Sequence, residues 1–225
     1  MTEVALGPLA VEQEEREPFG RSFRRDLFRH FVYFANPSIG RKIATCVQVE
    51  GIWACFVYRF GRALKTGRLP PVASHVAWFA YWFLEIAVRM ATGIHLDVEA
   101  RIAPGFYVGH HGAIFVGPGV GIGPDSSIGQ MCYVAAAAIG CGAPTVGERC
   151  YLGPGSKVIG PVVLGDEVAV GAGSVVLEDV PRSAVVVGNP ARIVSYKGTS
   201  DVIYLGEGAR PLTGHMALSP ESSAR

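Results

Sequence analysis

Aliphatic residues recur at every sixth position through the middle of this chain, with one doubled interval, and this period limits the folds open to it. The series is Ile122, Ile128, Val134, Val146, Leu152, Val158, Leu164, Val170 and Val176. A hexapeptide period is typical of a parallel β-helix, in which each unit forms a short strand and a turn, and three units close one triangular coil. The pattern therefore predicts a parallel β-helix with these side chains inside the prism.

Two extra residues interrupt the period near its start. Leu96, Ile102 and Val108 also lie six residues apart, but Val116, from which the later series continues, follows Val108 by eight. The extra residues fall within the sequence Gly-His-His-Gly at 109–112. Because a closed coil has no room for two more residues, we expect this segment to bulge outward and to present its histidines on the outer wall.

Changes in composition divide the chain into four segments. We predict a flexible N-terminus at 1–20, an α-helical domain at 21–93, the β-helix at 94–194 and a polar C-terminal tail at 195–225. The sequence Lys-Thr-Gly-Arg-Leu-Pro-Pro at 65–71 predicts a break between two helices.

The charge balance and the cysteines exclude several classes of protein. Twenty Lys and Arg face nineteen Asp and Glu, and no block of like charge suggests a nucleic-acid partner. The five cysteines contain no Cys-x-x-Cys pair, and the N-terminus is acidic where a signal peptide would be basic. We therefore expect free thiols and a cytoplasmic protein.

Residues 71–94 are apolar for nearly the length of a membrane span. His75, Glu85 and Arg89 interrupt them, and a charge at the bilayer centre costs roughly 3 kcal/mol. Aromatic residues such as Trp78 and Trp82 are ones that membrane interfaces favour. A helix that is buried or faces another subunit is still the better interpretation, and we expect no membrane contact.

Three motifs in the repeat region resemble the hexapeptide-repeat acyltransferases and, more narrowly, the serine O-acetyltransferases. They are ARIAPGFYVGHHGAIFVG at 100–117, a segment at 143–181 that begins APTVGERCYLGPG, and VVVGNPARIV at 185–194. The resemblance implies a left-handed parallel β-helix preceded by an α-helical N-terminal domain. It also implies a homotrimer, possibly paired into a dimer of trimers, that transfers an acetyl group from acetyl-CoA to a hydroxyl without a metal.

The resemblance also assigns a role to the bulge. In that family a histidine on the first bulge removes the proton from the acceptor hydroxyl, and His110 occupies its place, with His111 as the alternative. An imidazole with a pKa near ~6.5 can accept a proton at neutral pH, and a positioned base typically contributes roughly 10²- to 10⁴-fold. The other interpretation is that both histidines are polar residues on an exposed loop.

Six further residues match positions that bind the acyl donor in that family, in a groove between two subunits. They are Ala136, Gly153, Ala172, Gly173, Pro190 and Arg192. The guanidinium of Arg192 suits a phosphate because it is always charged and donates in a fork. Arg192 could instead pair with Asp179 or Glu178, and small residues are also what tight corners of a β-helix require.

The sequence departs from the serine acetyltransferases where they hold the acceptor. Gly109 stands in place of an Asp, the Gly-Ala-Pro at 142–144 in place of Arg-His-Pro, and Asn36 in place of a third acid. Charged ends of a substrate left unpaired cost several kcal/mol, so free serine is a doubtful acceptor. Without the Asp, we expect His110 to bond a backbone carbonyl or a neutral side chain such as Gln130.

The sequence therefore predicts an acetyl-CoA-dependent O-acetyltransferase that acts on a serine-like amino-acid derivative or a specialised metabolite. The alternatives are a sugar or polysaccharide O-acetyltransferase and a non-catalytic β-helix scaffold. A γ-type carbonic anhydrase shares the β-helix but needs three imidazoles from adjoining subunits around zinc. The repeats contain only His95, His110 and His111, so we expect no metal.

Overall fold

The computed structural model describes residues 17–32, 38–67, 69–109 and 112–200. Within these ranges, four helices precede fifteen short strands. The helices are α1 (Phe19–Phe31), α2 (Ile39–Gln48), α3 (Glu50–Thr66) and α4 (Pro71–Thr92). The strands are β1 (Ile94–Leu96), β2 (Arg101–Ile102), β3 (Tyr107–Val108), β4 (Ile114–Val116), β5 (Gly121–Ile122), β6 (Ser127–Ile128), β7 (Tyr133–Ala135), β8 (Thr145–Val146), β9 (Tyr151–Leu152), β10 (Lys157–Ile159), β11 (Val163–Leu164), β12 (Ala169–Val170), β13 (Val175–Val176), β14 (Val185–Gly188) and β15 (Ala191–Ser195).

The strands form three sheets in which, from β1 to β13, each strand pairs with the third strand before or after it, whereas β14 pairs with β12 and β15. Sheet A has the order β1-β4-β7-β10-β13, sheet B β11-β8-β5-β2, and sheet C β15-β14-β12-β9-β6-β3. All pairs are parallel except the terminal β14–β15 hairpin. The predicted fold class, a left-handed parallel β-helix after a helical N-terminal region, is confirmed.

The period-six residues form the interior of the prism. Each of them is at most 6% exposed, from Leu96 to Val176. Register pairs them across coils, for example Ile122 with Val146 and Val146 with Leu164. Stacking of aliphatic side chains on equivalent residues of the next coil therefore buries the core.

A buried ion pair joins the helices to the first coil. Asp26 of α1 accepts bonds from Arg59 of α3, with Nε 2.7 Å from Oδ2, and from the backbone N–H groups of Gly105 and Phe106 at 2.8 and 3.0 Å. Arg59 also donates to the carbonyl of Ala103 at 2.9 Å. Residues of α3 belong to the same buried core cluster as the strands. The domain boundaries proposed from sequence stay a prediction.

The segment predicted to be a buried or subunit-facing helix forms α4, which begins at Pro71 after the predicted break. Only Tyr81 and Thr92 are buried in it, so the expectation of a buried helix is wrong, and the subunit-facing alternative stays open. Glu85 pairs with Arg89 one turn later at 3.4 Å. No helix in the described part of the chain is long and apolar enough to cross a membrane.

Candidate active site

The histidine bulge belongs to the corner where the chain passes from sheet C to sheet A. Register pairs Val108 with Ile128 before the corner, and Val116 with Val134 after it. The interval across this corner is eight residues in the first coil, from Val108 to Val116, and six in the second, from Ile128 to Val134. The two extra residues therefore fall at this corner, as the period predicts. His110 and His111 themselves, and Asn36, lie outside the described residues.

Backbone hydrogen bonds hold both ends of the bulge. The N–H of Gly109 donates to the carbonyl of Ile128 at 3.1 Å, and the N–H of Gly112 donates to the carbonyl of Thr92 at 2.9 Å. Gly112 has φ 102°, a conformation that favours glycine. The two glycines that flank the histidines are therefore bonded to the second coil on one side and to the C-terminus of α4 on the other.

Gly109 has room for a side chain. A Cβ atom built there would lie 3.4 Å from a ring carbon of Tyr107 and 3.8 Å from the carbonyl oxygen of Ile128. Both are ordinary van der Waals distances. A clash at the Cβ position therefore does not explain why glycine, rather than a residue with a carboxylate, precedes His110.

Four of the predicted site residues lie below the bulge on the same edge of the prism. Backbone bonds run from coil to coil along this edge: Met131 N–H to Gly112 at 2.9 Å, Gly155 N–H to Gln130 at 2.8 Å, and Gly173 N–H to Pro154 at 2.8 Å. The structure thus brings together Gly109, Gln130, Gly153, Ala172 and Gly173 on the edge that carries the bulge.

Gln130 lies one coil below the bulge and has an unusual environment. Its side-chain oxygen Oε1 is buried, and among the described residues it has no hydrogen-bond partner. A buried carbonyl oxygen left without a donor costs about 1–3 kcal/mol. The side chain is therefore suited to accept a hydrogen bond from a donor on the adjoining bulge or on a ligand.

The three small residues further along this edge differ in what they can do. A Cβ atom at Gly153 would lie 2.6 Å from the carbonyl oxygen of Val170, so close packing of coils requires glycine there. Ala172 and Gly173 are exposed, and a Cβ atom at Gly173 would meet nothing within 4 Å. Open backbone at these two positions is accessible to a ligand.

Ala136 is not on this edge. It begins an inserted loop at 136–142 between β7 of sheet A and β8 of sheet B, which accounts for the doubled interval between Val134 and Val146. Ile139 in this loop is fully exposed. The predicted donor-binding residues therefore lie at two different corners of one protomer.

Pro190 and Arg192 lie at the terminal hairpin of β14 and β15. They line a cavity of about 260 Å³ together with residues of the β13–β14 connection, including Leu177 and Glu178. Nη1 of Arg192 is 3.7 Å from Oε1 of Glu178, and both side chains are exposed. The structure thus shows the ion pair that the sequence left open as the alternative for Arg192, in a geometry weak enough for a phosphate to displace.

Sequence reasoning missed another histidine, which packs beside the strand that precedes the bulge. His30 of α1 is 3% exposed, and its ring lies 4.7 Å from the ring of Tyr107, which precedes Gly109 by two residues. Its Nδ1 is 2.9 Å from the carbonyl oxygen of Asp26, while Nε2 makes no well-formed hydrogen bond among the described residues and only a weaker interaction with the backbone of Val108 acts on the pKa of the ring. Burial lowers the pKa of His30, so the neutral ring donates through Nδ1. Only the long-range packing of α1 on sheet C identifies this residue.

A third histidine lies on the outer face of sheet A. His95 of β1 contacts Oε1 of Glu85 through Nδ1 at 2.9 Å and stacks on Phe115, with ring centroids 5.2 Å apart. Hydrogen bonding to Asp97 and then to Glu85 raises its pKa against the opposing effect of burial. The imidazole ring of His95 lies between the carboxylates of Glu85 and Asp97.

Across the described ranges, no three His, Cys, Asp or Glu side chains are grouped to hold a metal ion.

Comparisons with known proteins agree with this architecture. Residues 143–178 match the family model of the bacterial transferase hexapeptide (six repeats). The serine acetyltransferase of Vibrio cholerae O1 biovar El Tor N16961 is 25% identical and superposes with a TM-score of 0.65, covering 82% of this chain and 69% of that one. Soybean serine acetyltransferase is 25% identical with a TM-score of 0.64, covering 78% and 69%. No curated protein matches the sequence significantly.

A further neighbour was solved with a ligand. The serine acetyltransferase of Brucella abortus strain S19 in complex with coenzyme A has a TM-score of 0.64 at 22% identity, covering 84% of this chain and 72% of that one. The resemblance read from the sequence is therefore confirmed. Residues 143–178 carry hexapeptide repeats, and the structural neighbours of the chain include serine acetyltransferases that cover about four fifths of it.

Proposed function

We propose that this protein is an acetyl-CoA-dependent O-acetyltransferase with His110 as its general base. The observation that carries the proposal is the corner bulge. The flanking register supports it, because the corner between Val108 and Val116, which contains the adjacent histidines, has two residues more than the corner between Ile128 and Val134 in the next coil. Two extra residues at one corner add no aliphatic residue to the repeating core, so a role in binding or chemistry is favoured.

His110 would remove the proton from the acceptor hydroxyl as the oxygen attacks the thioester carbonyl. A carbon–oxygen bond forms, and the carbonyl electrons move to an oxyanion that backbone N–H groups would stabilise. Collapse of this intermediate breaks the carbon–sulfur bond. The proton on His110 then passes to the leaving thiolate of CoA, which returns the base to its neutral form.

Gln130 is the best candidate to orient the base. A neutral imidazole accepts through one nitrogen and donates through the other, and Oε1 of Gln130, which no described residue hydrogen-bonds, belongs to a residue on the same edge, one coil below. Gln130 would therefore replace the carboxylate that the resemblance leads one to expect at Gly109. A neutral partner stabilises the imidazolium less than a carboxylate does, which makes His110 a weaker base.

The donor site is expected to be shared between subunits. Ala172 and Gly173 lie on the bulge edge, whereas Ala136 lies at the next corner, so one protomer does not bring these residues together. A threefold homotrimer of β-helices would place one corner of each protomer against a different corner of its neighbour. Arg192 and Pro190 would then meet the nucleotide end of acetyl-CoA. We also propose that the protein is cytoplasmic.

The acceptor is proposed to lack the charged ends of free serine. Gly109 and Ala143 occupy positions where serine acetyltransferases carry charged or proton-bearing groups. Ala143 packs against the core. Neither offers a partner to an ammonium or a carboxylate. A serine-like derivative, a specialised metabolite or a sugar hydroxyl remains compatible with such a site.

The experiment is a thiol-release assay with acetyl-CoA and a panel of serine, homoserine, serine-bearing conjugates and sugars. We expect CoA binding by calorimetry in the presence of a chelator, release of thiol with an uncharged acceptor, and weak turnover of free serine. Absence of CoA binding would favour the scaffold alternative. Serine turnover near ~10 s⁻¹, the median for enzymes generally, would contradict the assignment of the acceptor.

A further inference from the structure

A cavity of about 440 Å³ lies where α1 and α3 meet the first coil. Its described lining comes from the start of α1, from α3 and from Ile102 of β2, and includes no residue of the bulge edge. Pockets that bind small molecules measure roughly 300–1,000 Å³. The cavity is therefore large enough for a small organic ligand at a place separate from the bulge.

Arg59 borders this cavity, but its three nitrogens are already bonded. Nε and Nη2 donate to the carboxylate of Asp26 at 2.7 and 3.1 Å, and Nη1 donates to the carbonyl of Ile102 at 2.5 Å. Nη2 also donates to the carbonyl of Ala103 at 2.9 Å. Because Asp26 balances its charge, Arg59 forms a fixed part of the wall, and a ligand would depend on other groups.

Glu17 lies two residues before α1 and borders the cavity. Its side-chain oxygen Oε2 is buried, and none of the described residues donates a hydrogen bond to it. An ionised carboxylate only accepts hydrogen bonds, and leaving one of its oxygens buried without a donor is costly. A ligand group with N–H donors and a positive charge, such as an ammonium, would remove that cost.

Arg62 and Ser22 supply hydrogen-bond donors to the same cavity. Nη1 of Arg62 donates to the carbonyl of Val98 at 3.3 Å, but a guanidinium has five N–H groups in a planar fork, a geometry that a carboxylate can match with both oxygens. Ser22 is 5% exposed and adds a hydroxyl. A cavity that contains a carboxylate and a guanidinium is suited to a zwitterion rather than to a simple cation or anion.

The rest of the lining is mainly apolar and includes Phe19, Ala63 and Ile102. Tyr58 also borders the cavity, but its hydroxyl donates to the carbonyl of Ala100 and accepts from the N–H of Ile102, both at 2.9 Å. Tyr58 therefore adds aromatic surface rather than a donor. This part of the cavity favours an apolar group on the ligand.

We propose that this cavity binds a free α-amino acid with an apolar side chain, whose ammonium contacts Glu17 and whose carboxylate contacts Arg62. The proposal does not depend on the proposed acetyl transfer, since no described residue of the bulge edge borders the cavity. Because α1, α3 and β2 all contribute to the lining, the bound amino acid would stabilise the docking of the helices on the first coil, as any ligand does that binds only the folded chain.

Isothermal calorimetry on the full chain, without acetyl-CoA, tests the class of ligand. L-Leucine is the probe, and its controls are 4-methylpentanoate, which lacks the ammonium, and 3-methylbutylamine, which lacks the carboxylate. We expect leucine to bind, and each control to bind at least about tenfold more weakly because it loses one charge-assisted pair. Equal affinity for either control would overturn the assignment of a zwitterion, and no binding at about 10 mM leucine would overturn the site itself.

Two variants with matched controls test the assigned residues. Glu17→Gln and Arg62→Gln should each weaken leucine binding at least about tenfold. Glu99→Gln and Lys65→Gln break an exposed ion pair outside the cavity and should bind leucine like the wild type. If Arg62→Gln fails to fold, Glu17→Gln still decides the matter, since Glu17 lies outside the helices. Unchanged binding in Glu17→Gln, or an equal loss in the control variants, would overturn the proposal.

Photolabelling locates the ligand. Photo-leucine, the leucine analogue with a diazirine in its side chain, should attach on irradiation to peptides from the start of α1 or from α3, as mass spectrometry would show. His110→Ala should keep both the labelling and the affinity for leucine. Labelling at the bulge edge, or loss of leucine binding in His110→Ala, would place the amino acid at the proposed acceptor site and overturn the inference.

Discussion

In the β-helix the buried side chains are aliphatic and recur by position, whereas the helical segment places two charged residues at the centre of its contact with the first coil. Val146, Leu152 and Val158 are each at most 2% exposed and have equivalent neighbours in the next coil. Asp26 is as deeply buried and Arg59 is 7% exposed, but each depends on partners that occur once. The comparison shows that many equivalent aliphatic contacts stabilise the repeat, whereas a few specific polar contacts stabilise the docking of the helices on it.

The largest expected effect is at the buried ion pair. Asp26→Asn should lower the free energy of unfolding by about 3–5 kcal/mol, because it leaves the guanidinium of Arg59 buried without a counter-charge. Asp125→Asn is the matched control, since Asp125 likewise pairs with an arginine, here Arg25 of α1 at 2.7 Å, but nearer the surface. It should cost about 1 kcal/mol or less. Urea unfolding of both variants makes the measurement, and equal losses would remove the distinction between the two kinds of contact.

A smaller effect should separate two glycines on the bulge edge. Gly153→Ala should cost about 1–3 kcal/mol, because the added Cβ would overlap the carbonyl oxygen of Val170 in the next coil. Gly109→Ala should leave stability within about 0.5 kcal/mol, since its Cβ would meet only ordinary contacts. Thermal unfolding compares the two. A large loss at Gly109 would mean that the fold itself, rather than the choice of substrate, requires glycine before the histidines.

The structure of the β-helix could be predicted from the sequence more fully than the docking of the helices on it. The period six placed the strands, the buried residues and the corner with two extra residues, because each is a local property of a repeat. The Asp26–Arg59 pair joins residues 33 positions apart, and His30 reaches Tyr107 only through the docking of α1. No local pattern marks such contacts. The separation of Ala136 from the bulge edge likewise depends on which corner the inserted loop occupies.

The smallest effect concerns His95 and His30, whose pKa values are shifted in opposite directions. The pKa of His95 is raised, so its bonds to Asp97 and Glu85 stabilise the fold below the unfolded pKa of about 6.5, and this contribution is lost as the pH rises through the folded pKa. The pKa of His30 is lowered by burial, so it opposes folding as the pH falls below about 6.5.

Unfolding experiments at two pH values can isolate the contribution of His95. The stability difference between the wild type and His95→Gln should be larger at pH 5.5 than at pH 8.5, by about 1 kcal/mol or less because the site is partly exposed. The same difference at both pH values would mean that the two carboxylates do not act on a charged ring.

The central claim is that the extra residues at the sheet C to sheet A corner exist to present a catalytic base. The most direct measurement is kcat and acetyl-CoA affinity for His110→Ala beside His111→Ala, with the best acceptor of the panel. We predict a fall of roughly 10²- to 10⁴-fold in kcat for His110→Ala, with CoA affinity little changed and the ascending limb of the pH–rate profile removed, and a much smaller effect for His111→Ala. Full activity in both variants would contradict the account, because the bulge would then have no part in the chemistry.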